Sequence, residues 1–535
     1  MKMMGKTLLT LLFLSSVFSI ASSRRRHSNS NIEWWCKQTP YPEPCKYYMK
    51  LQHRQHREKV KHKSEFRAVL VELALERAVV MRSELEQKQK GMSKKQKSVL
   101  RDCLKLCDNT VFHLNRTLEG INVKRRCSGF DAQTWLSTAR TNIETCKNGA
   151  LELGVGDWMV PRERSNVTEM ISNGLFVNWG LVGEGEDGAG AGAGAGAYPR
   201  WVWVHERKLL QSSSARIKGK ANIVVAKDGS GQFKSVQAAI NAAGRRRLKS
   251  RFIIHVKRGV YRENIEVDKR NDNIMLVGDG MRNTIITSGR SVSDGYTTYS
   301  SATAGIDGLH FIARDITFRN TAGPLKGQAV ALRSASDLSV FYRCGIQGYQ
   351  DTLMVHAQRQ FYRACYIYGT VDFIFGNAAV VFQNSLILVR RPLNGQANMI
   401  TAQGRDDPFQ NTGFTIHNSQ IRAAPDLRPV ISSFNTFLGR PWQRYSRVVV
   451  IKSFLDSLVN PMGWSPWGDS TFAFNTLYYG EYRNFGPGSS TTHRVSWPGF
   501  HPITSPLQAS PFTVANLLAG RTWLPATGVP FTSGL

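Results

Sequence analysis

The chain has 535 residues, with 70 Lys and Arg against 39 Asp and Glu, a formal charge of +31, and 41% hydrophobic side chains. That apolar mass excludes a mainly disordered or collagen-like protein, and the length predicts more than one core. The positive excess points to an anionic partner: nucleic acid, acidic lipid or acidic polysaccharide.

Lys2 and Lys6 precede an apolar run from Leu8 to Ile20 and the small residues Ala21, Ser22 and Ser23. This is the layout of a cleavable signal peptide over residues 1–23, with an uncleaved anchor as the alternative. The run falls short of the roughly 20 apolar residues of a membrane span, and no later segment is long and apolar enough. Export sets nucleic acid aside, so Arg24-Arg25-Arg26, Lys124-Arg125-Arg126 and Arg245-Arg246-Arg247 read as solvated patches or processing sites. Eight cysteines, an even number, suit an oxidising compartment and predict disulfides. No pair has the C-x-x-C spacing of a zinc site, and His53, His56 and His62 read as a solvated helix face, so no metal is expected.

From about residue 31 to 153 the apolar pattern has helical period. Phe66, Val69, Leu70 and Leu73 share one face; so do Leu100, Cys103, Cys107, Val111, Leu114 and Leu118; and so do Trp135, Leu136, Ala139, Ile143, Cys146 and Ala150. Three or four such helices make a small bundle. The sequons at Asn115 and Asn166 predict N-glycosylation. Residues 154–210 read as a linker: Gly183 to Ala197 largely alternates Gly and Ala, and Arg207-Lys208-Leu209-Leu210 offers a dibasic cut site.

From about residue 220 to 525, short Val/Ile/Phe/Tyr runs separated by Gly, Asn and Asp predict many short strands. Segments centred on Phe318, Phe341, Phe361 and Phe382 resemble one another at intervals of 20 to 23 residues. That period predicts a parallel β-helix with one coil per repeat. Gln328, Gln350 with Asp351, and Asp372 recur in step with it, placing their side chains on consecutive rungs about 4.8 Å apart. Cys344 and Cys365 also fall on neighbouring rungs, within disulfide reach.

Two carboxylates one rung apart with two amides beside them suit acyl transfer. One carboxylate attacks an ester carbonyl, the amides donate to the oxyanion, and the second carboxyl protonates the leaving alcohol. Like charges at that distance predict that one Asp holds its proton to higher pH. Two other readings fit the spacing alone: a ladder of Asp and Gln side chains along a solenoid, and a retaining glycosidase with paired carboxylates. The Gln donors favour the ester, because an oxocarbenium-like transition state has no oxyanion.

Gly259-Val260-Tyr261-Arg262-Glu263, Gln328-Ala329-Val330-Ala331-Leu332, Gln350-Asp351-Thr352-Leu353, Asp372-Phe373-Ile374-Phe375-Gly376 and Leu438-Gly439-Arg440-Pro441-Trp442 resemble, in order, the five signature segments of the plant pectinesterases, or pectin methylesterases. The helical region resembles the inhibitor-like pro-region of that family, and Arg207-Lys208-Leu209-Leu210 resembles its processing motif. The resemblance implies a right-handed single-stranded parallel β-helix behind an all-α four-helix-bundle pro-domain. It implies hydrolysis of the methyl esters of pectin in the cell wall, with no cofactor. Asp372 would be the nucleophile, Asp351 the acid and later base, and Gln328 and Gln350 the oxyanion donors. Arg440 would orient Asp372, while Trp442 and Thr298 would contact substrate. The partners implied are methyl-esterified pectin, anionic wall polysaccharide, a proteinaceous inhibitor and a subtilisin-like processing protease. The family pattern also implies the pairs Cys36–Cys45 and Cys103–Cys146. Gly327 and Met354 depart from it, where His and an aromatic are usual. The alternatives kept are a non-catalytic pectin-binding regulator and a β-helix glycosidase or lyase.

Charge divides over both parts: 34 basic and 21 acidic residues lie in 1–210, and 36 and 18 in 211–535. An enzyme freed of its N-terminal part would still adhere to an anionic matrix, less so at high salt.

Overall fold

The computed structural model describes residues 32–51, 60–88, 91–122, 127–159, 166–183, 210–245 and 250–535. The signal peptide, the Gly/Ala run beyond Gly183 and the dibasic site before Leu210 lie outside them. No helix among the described residues is long and apolar enough to cross a membrane.

The N-terminal part is helical: α1 (Ile32–Lys37), α2 (Pro42–Leu51), α3 (Lys63–Gln87), α4 (Lys94–Asn122), α5 (Gly129–Glu152), α6 (Gly156–Met159) and α7 (Val167–Gly183). The four long helices pack together, burying Leu70, Leu73, Leu100, Leu114, Leu136, Ile171 and Leu175 in one core. Cys36–Cys45 ties α1 to α2, and Cys103–Cys146 ties α4 to α5. Ser128 starts α5 through a capping box: its hydroxyl accepts from Asp131 N–H, and the Asp131 carboxylate accepts from Ser128 N–H. Helix α7 lies in the stretch read as linker from residue 154. It is apolar nearly all round and packs on α3 and α5, so it lacks the one-sided period by which the other helices were legible.

The C-terminal part is a parallel β-helix. Successive coils each add one strand to an eleven-stranded, a seven-stranded and an eight-stranded sheet, and every pairing is parallel. Inside, Phe311, Phe341, Tyr362 and Phe382 form a ladder, with Phe341 and Tyr362 stacked at 4.6 Å. The register pairs Phe341 with Tyr362 and Tyr362 with Phe382. Phe361 is therefore one residue off the ladder, and Phe318 belongs to a different sheet, where it pairs with Ile346. Ala313 holds the position opposite Phe341.

Cys344 and Cys365 are on neighbouring rungs but are free thiols, correcting the expected disulfide. Cys365 Sγ–H is 3.2 Å from Phe341 O, and Cys344 Sγ–H is 3.6 Å from Tyr342 O. The Cα spacing of about 4.8 Å admits a bridge, but each thiol is turned to a backbone carbonyl, and bridged Cβ atoms would have to close to near 3.8 Å.

Candidate active site

Asp351 and Asp372 each sit two residues before strands Leu353–Val355 and Ile374–Gly376 of the seven-stranded sheet, which pair Leu353 with Ile374. The two carboxylates thus hold equivalent places on adjacent rungs. Both residues have left-handed backbone, φ 59° and 49°, a conformation that Asp tolerates better than most residues. Gln350 precedes Asp351, and the Ala329 N–H donates to Gln350 O at 3.2 Å, which sets Gln328 beside Gln350 one coil earlier. Arg440 lies two strands from Phe375 in a row of paired residues, Met354, Phe375, Ala402 and Arg440. Its Nε donates to Asp372 Oδ1 at 2.9 Å and its Nη2 to Oδ2 at 2.6 Å. This fork fixes the plane of the carboxylate.

These groups line a cavity of about 460 Å³ with Thr298, Tyr299, Met354, Phe375, Trp442 and Trp467. Trp442 packs edge-on against Phe375, and the Arg440 guanidinium lies 4.4 Å over Trp467. Among the described residues, neither the Gln328 nor the Gln350 amide has a hydrogen-bond partner, so both are available to a ligand. Burial and the neighbouring Asp372 and Glu152 charges push Asp351 well above the usual carboxylate range. Burial also raises Asp372, but the Arg440 guanidinium opposes it. The guanidinium thus favours ionisation of Asp372 over Asp351.

The cavity has a roof. Thr145, Asn148, Gly149 and Glu152, spaced along one face of α5, line it opposite the two Asp residues. Glu152 Oε2 accepts from Thr298 N–H at 2.8 Å, and Oε1 accepts from the Thr298 hydroxyl. Around this roof ion pairs at 2.8 Å fasten the bundle to the β-helix: Asp131 to Arg359, which Asp337 also holds, Arg140 to Asp406, and Lys105 to Asp307.

The fold and site now stand beside known proteins. The family model for pectinesterase matches residues 222–521, and that for plant invertase/pectin methylesterase inhibitor matches residues 30–177. The Arabidopsis thaliana protein named probable pectinesterase/pectinesterase inhibitor 60 is 58% identical over 99% of this chain and 97% of its own. The chain belongs to the pectinesterase family. Pectinesterase 2 of Citrus sinensis is 52% identical over 97% of this chain and 98% of its own. The solved pectin methylesterase from carrot is 57% identical, covers 59% of this chain and 98% of its own, and superposes with a TM-score of 0.58.

The structure brings Asp351, Asp372, Gln328, Gln350, Arg440, Thr298 and Trp442 into one cavity. Asn115 is an exposed residue of α4, and Asn166 lies just before α7. Reading the sequence did not single out Tyr299, Trp467 or Glu152. Trp467 follows a family segment by 25 residues with no repeat to mark it, and Glu152 is one surface-type carboxylate at a helix end.

Proposed function

We propose that the chain is a secreted pectin methylesterase of the plant cell wall, held latent by its own bundle. The observation that carries this is the pair of unlike carboxylates: Asp372 clamped by Arg440, and Asp351 buried without a cation of its own, with two unengaged amides beside them.

Asp372 attacks the methyl-ester carbonyl carbon of a galacturonate unit, and the oxyanion that forms receives N–H donors from Gln328 and Gln350. Collapse breaks the bond to methoxide, which takes the Asp351 proton and leaves as methanol. Asp351, now a carboxylate, removes a proton from water as its oxygen attacks the acyl carbon. Breakdown of that second adduct returns Asp372 and leaves a free carboxyl on the polymer. Trp442 and Trp467 offer flat faces to the sugar rings, and Thr298 offers donors to a neighbouring carboxylate.

The roof of α5 excludes polymer from the cavity, so the bundle acts as an inhibitor in cis. The carrot enzyme covers 59% of this chain and 98% of its own, so it has no room for the bundle as well as the β-helix, which supports the β-helix part folding alone. We assign release to a subtilisin-like protease cutting near Leu210, and a separate inhibitor of bundle type would seat on the same groove. Methanol release from methylated pectin should be high for the fragment beginning at Gln211, low for the full chain, and absent for the fragment carrying Asp372→Ala. A fragment whose Asp372→Ala variant kept its rate would refute the mechanism.

A further inference from the structure

The eight-stranded sheet carries an outward row that crosses the coils and belongs to no part of the catalytic cavity. Register pairs Arg262 with Thr287, Thr287 with Arg319, Arg319 with Gln347, and Gln347 with Tyr368. Two adjoining cavities lie along this row, one of about 630 Å³ and one of about 520 Å³, and they share Arg319 and Thr321. Neither shares a residue with the catalytic cavity, and no described bundle residue lines either. The boundary between groove and catalytic cavity is a single peptide: Tyr349 lines the first and Gln350 the second.

The chemistry of the row is cationic and aromatic. Arg262 and Arg319 have no carboxylate partner among the described residues. Arg319 spends only its Nε on Gln347 Oε1, at 2.7 Å. Glu263, the one acid beside Arg262, is consumed in starting the helix Val236–Ala243, accepting from Val236 N–H, Gln237 N–H and the Ser235 hydroxyl. At the other end the Arg390 guanidinium, its charge met by Asp426 at 3.1 Å, lies 3.7 Å over Tyr349 and builds a flat platform beside Tyr368, so this end offers a face for a sugar ring and Arg262 and Arg319 supply the charge. Guanidinium groups bind carboxylates through paired donors, and aromatic faces accept sugar rings. Arg262 and Arg319 stand two rungs apart, about 9–10 Å at the strand spacing. A linear uronan, which advances by about one strand spacing per sugar, would meet them with alternate carboxylates.

We propose that this groove is a second polysaccharide site that binds de-esterified galacturonan, the product of the reaction. The ligand class rests on the pectinesterase reading. The groove stays open while the bundle roofs the catalytic cavity, so even the latent chain binds product. An enzyme released on such a surface is already moored beside the esters that remain.

Calorimetric titration of the full chain with a fully de-esterified galacturonate decamer at low salt tests this without any turnover, so it stands or falls apart from methanol release. The double variant Arg262→Gln/Arg319→Gln should bind the decamer at least tenfold more weakly. Arg440→Gln, in the roofed cavity, and Lys95→Gln/Lys97→Gln, which removes equal charge from the bundle surface, should each bind within twofold of wild type. Groove-variant affinity within twofold of wild type would overturn the proposal. So would an equal loss in the lysine variant, which would mean general attraction, or a loss in Arg440→Gln, which would place the decamer in the catalytic cavity.

Discussion

Glu152, the last residue of α5, takes both the backbone N–H and the hydroxyl of Thr298 with its two carboxylate oxygens. In the proposed latent state a uronate carboxylate entering the groove would compete for the same two donors, so the roof would block the site by imitating the substrate's charge as well as by bulk. Burial raises Glu152, and the Thr298 donors oppose that rise. Charge-assisted bonds of this kind contribute on the order of 1.5–3 kcal/mol. Glu152→Ala in the full chain should therefore raise methanol release severalfold above the latent level while leaving it below the Gln211 fragment. Unchanged latency would show that the ion pairs around the rim hold the bundle without Glu152.

In the proposed mechanism the Arg440 fork sets the acid limit of catalysis. Its charge lowers the Asp372 carboxyl against the burial that raises it. Asp372 must be ionised to attack, so activity falls as pH drops through its pKa. Removing the guanidinium raises that pKa, so Arg440→Gln should move the acid limb of kcat/KM to higher pH as well as lowering the plateau. The pH–rate profile of the Gln211 fragment measures it. A variant with a lower plateau but an unmoved limb would leave Arg440 a positioning role without an electrostatic one.

Gly376 closes the segment that begins at Asp372, with φ of 117°, and a Cβ there would stand 2.2 Å from Val355 O on the preceding coil. Gly376→Ala must distort the strand that fixes the nucleophile. Strained backbone of this kind costs about 1–3 kcal/mol before any steric term. A lower melting temperature and a large drop in methanol release from the Gln211 fragment are expected together. Neither would change if the coil relaxed freely.

The carboxylate pair was legible because the coils bearing it keep a constant length: Asp351 to Asp372 is 21 residues, the same as Leu353 to Ile374 in the paired strands. Legibility fails where coil length changes. Between Ala313 and Phe341, paired across adjacent rungs, the chain runs 28 residues, because it includes the Pro324–Lys326 turn, and the repeat was read through Phe318 in another sheet. Ladder position likewise placed Cys344 beside Cys365, but spacing along the chain carries no information on side-chain distance at the 1 Å level that separates thiols from a disulfide. Glu152 was illegible for another reason. Its partner Thr298 is 146 residues away in a different core, and only the docking of two folded units gives that carboxylate a meaning.

Latency should respond to acid through His356. The bundle buries this side chain, bringing Thr145 Oγ1 within 2.8 Å, and burial with the nearby Arg333 and Lys105 charges, against Asp307, pushes it down to about 3. Lifting the bundle returns water to the ring and removes the Lys105 charge, which raises His356 toward the ordinary histidine value of about 6.5. A histidine lowered in the docked state favours docking fully above its free pKa and loses that contribution as pH falls. Asp406 acts oppositely: burial raises it to about 6 despite Arg140, so its share is greatest in acid and is lost as pH rises through 6. Comparing wild type with His356→Gln cancels Asp406, since both proteins keep it. The full chain carrying His356→Gln should stay latent at pH 5 more completely than wild type and match it at pH 7, measured as methanol release relative to the Gln211 fragment with the same substitution. Identical ratios at both pH values would remove His356 from the account and leave the carboxylates of the interface as its pH-sensitive groups.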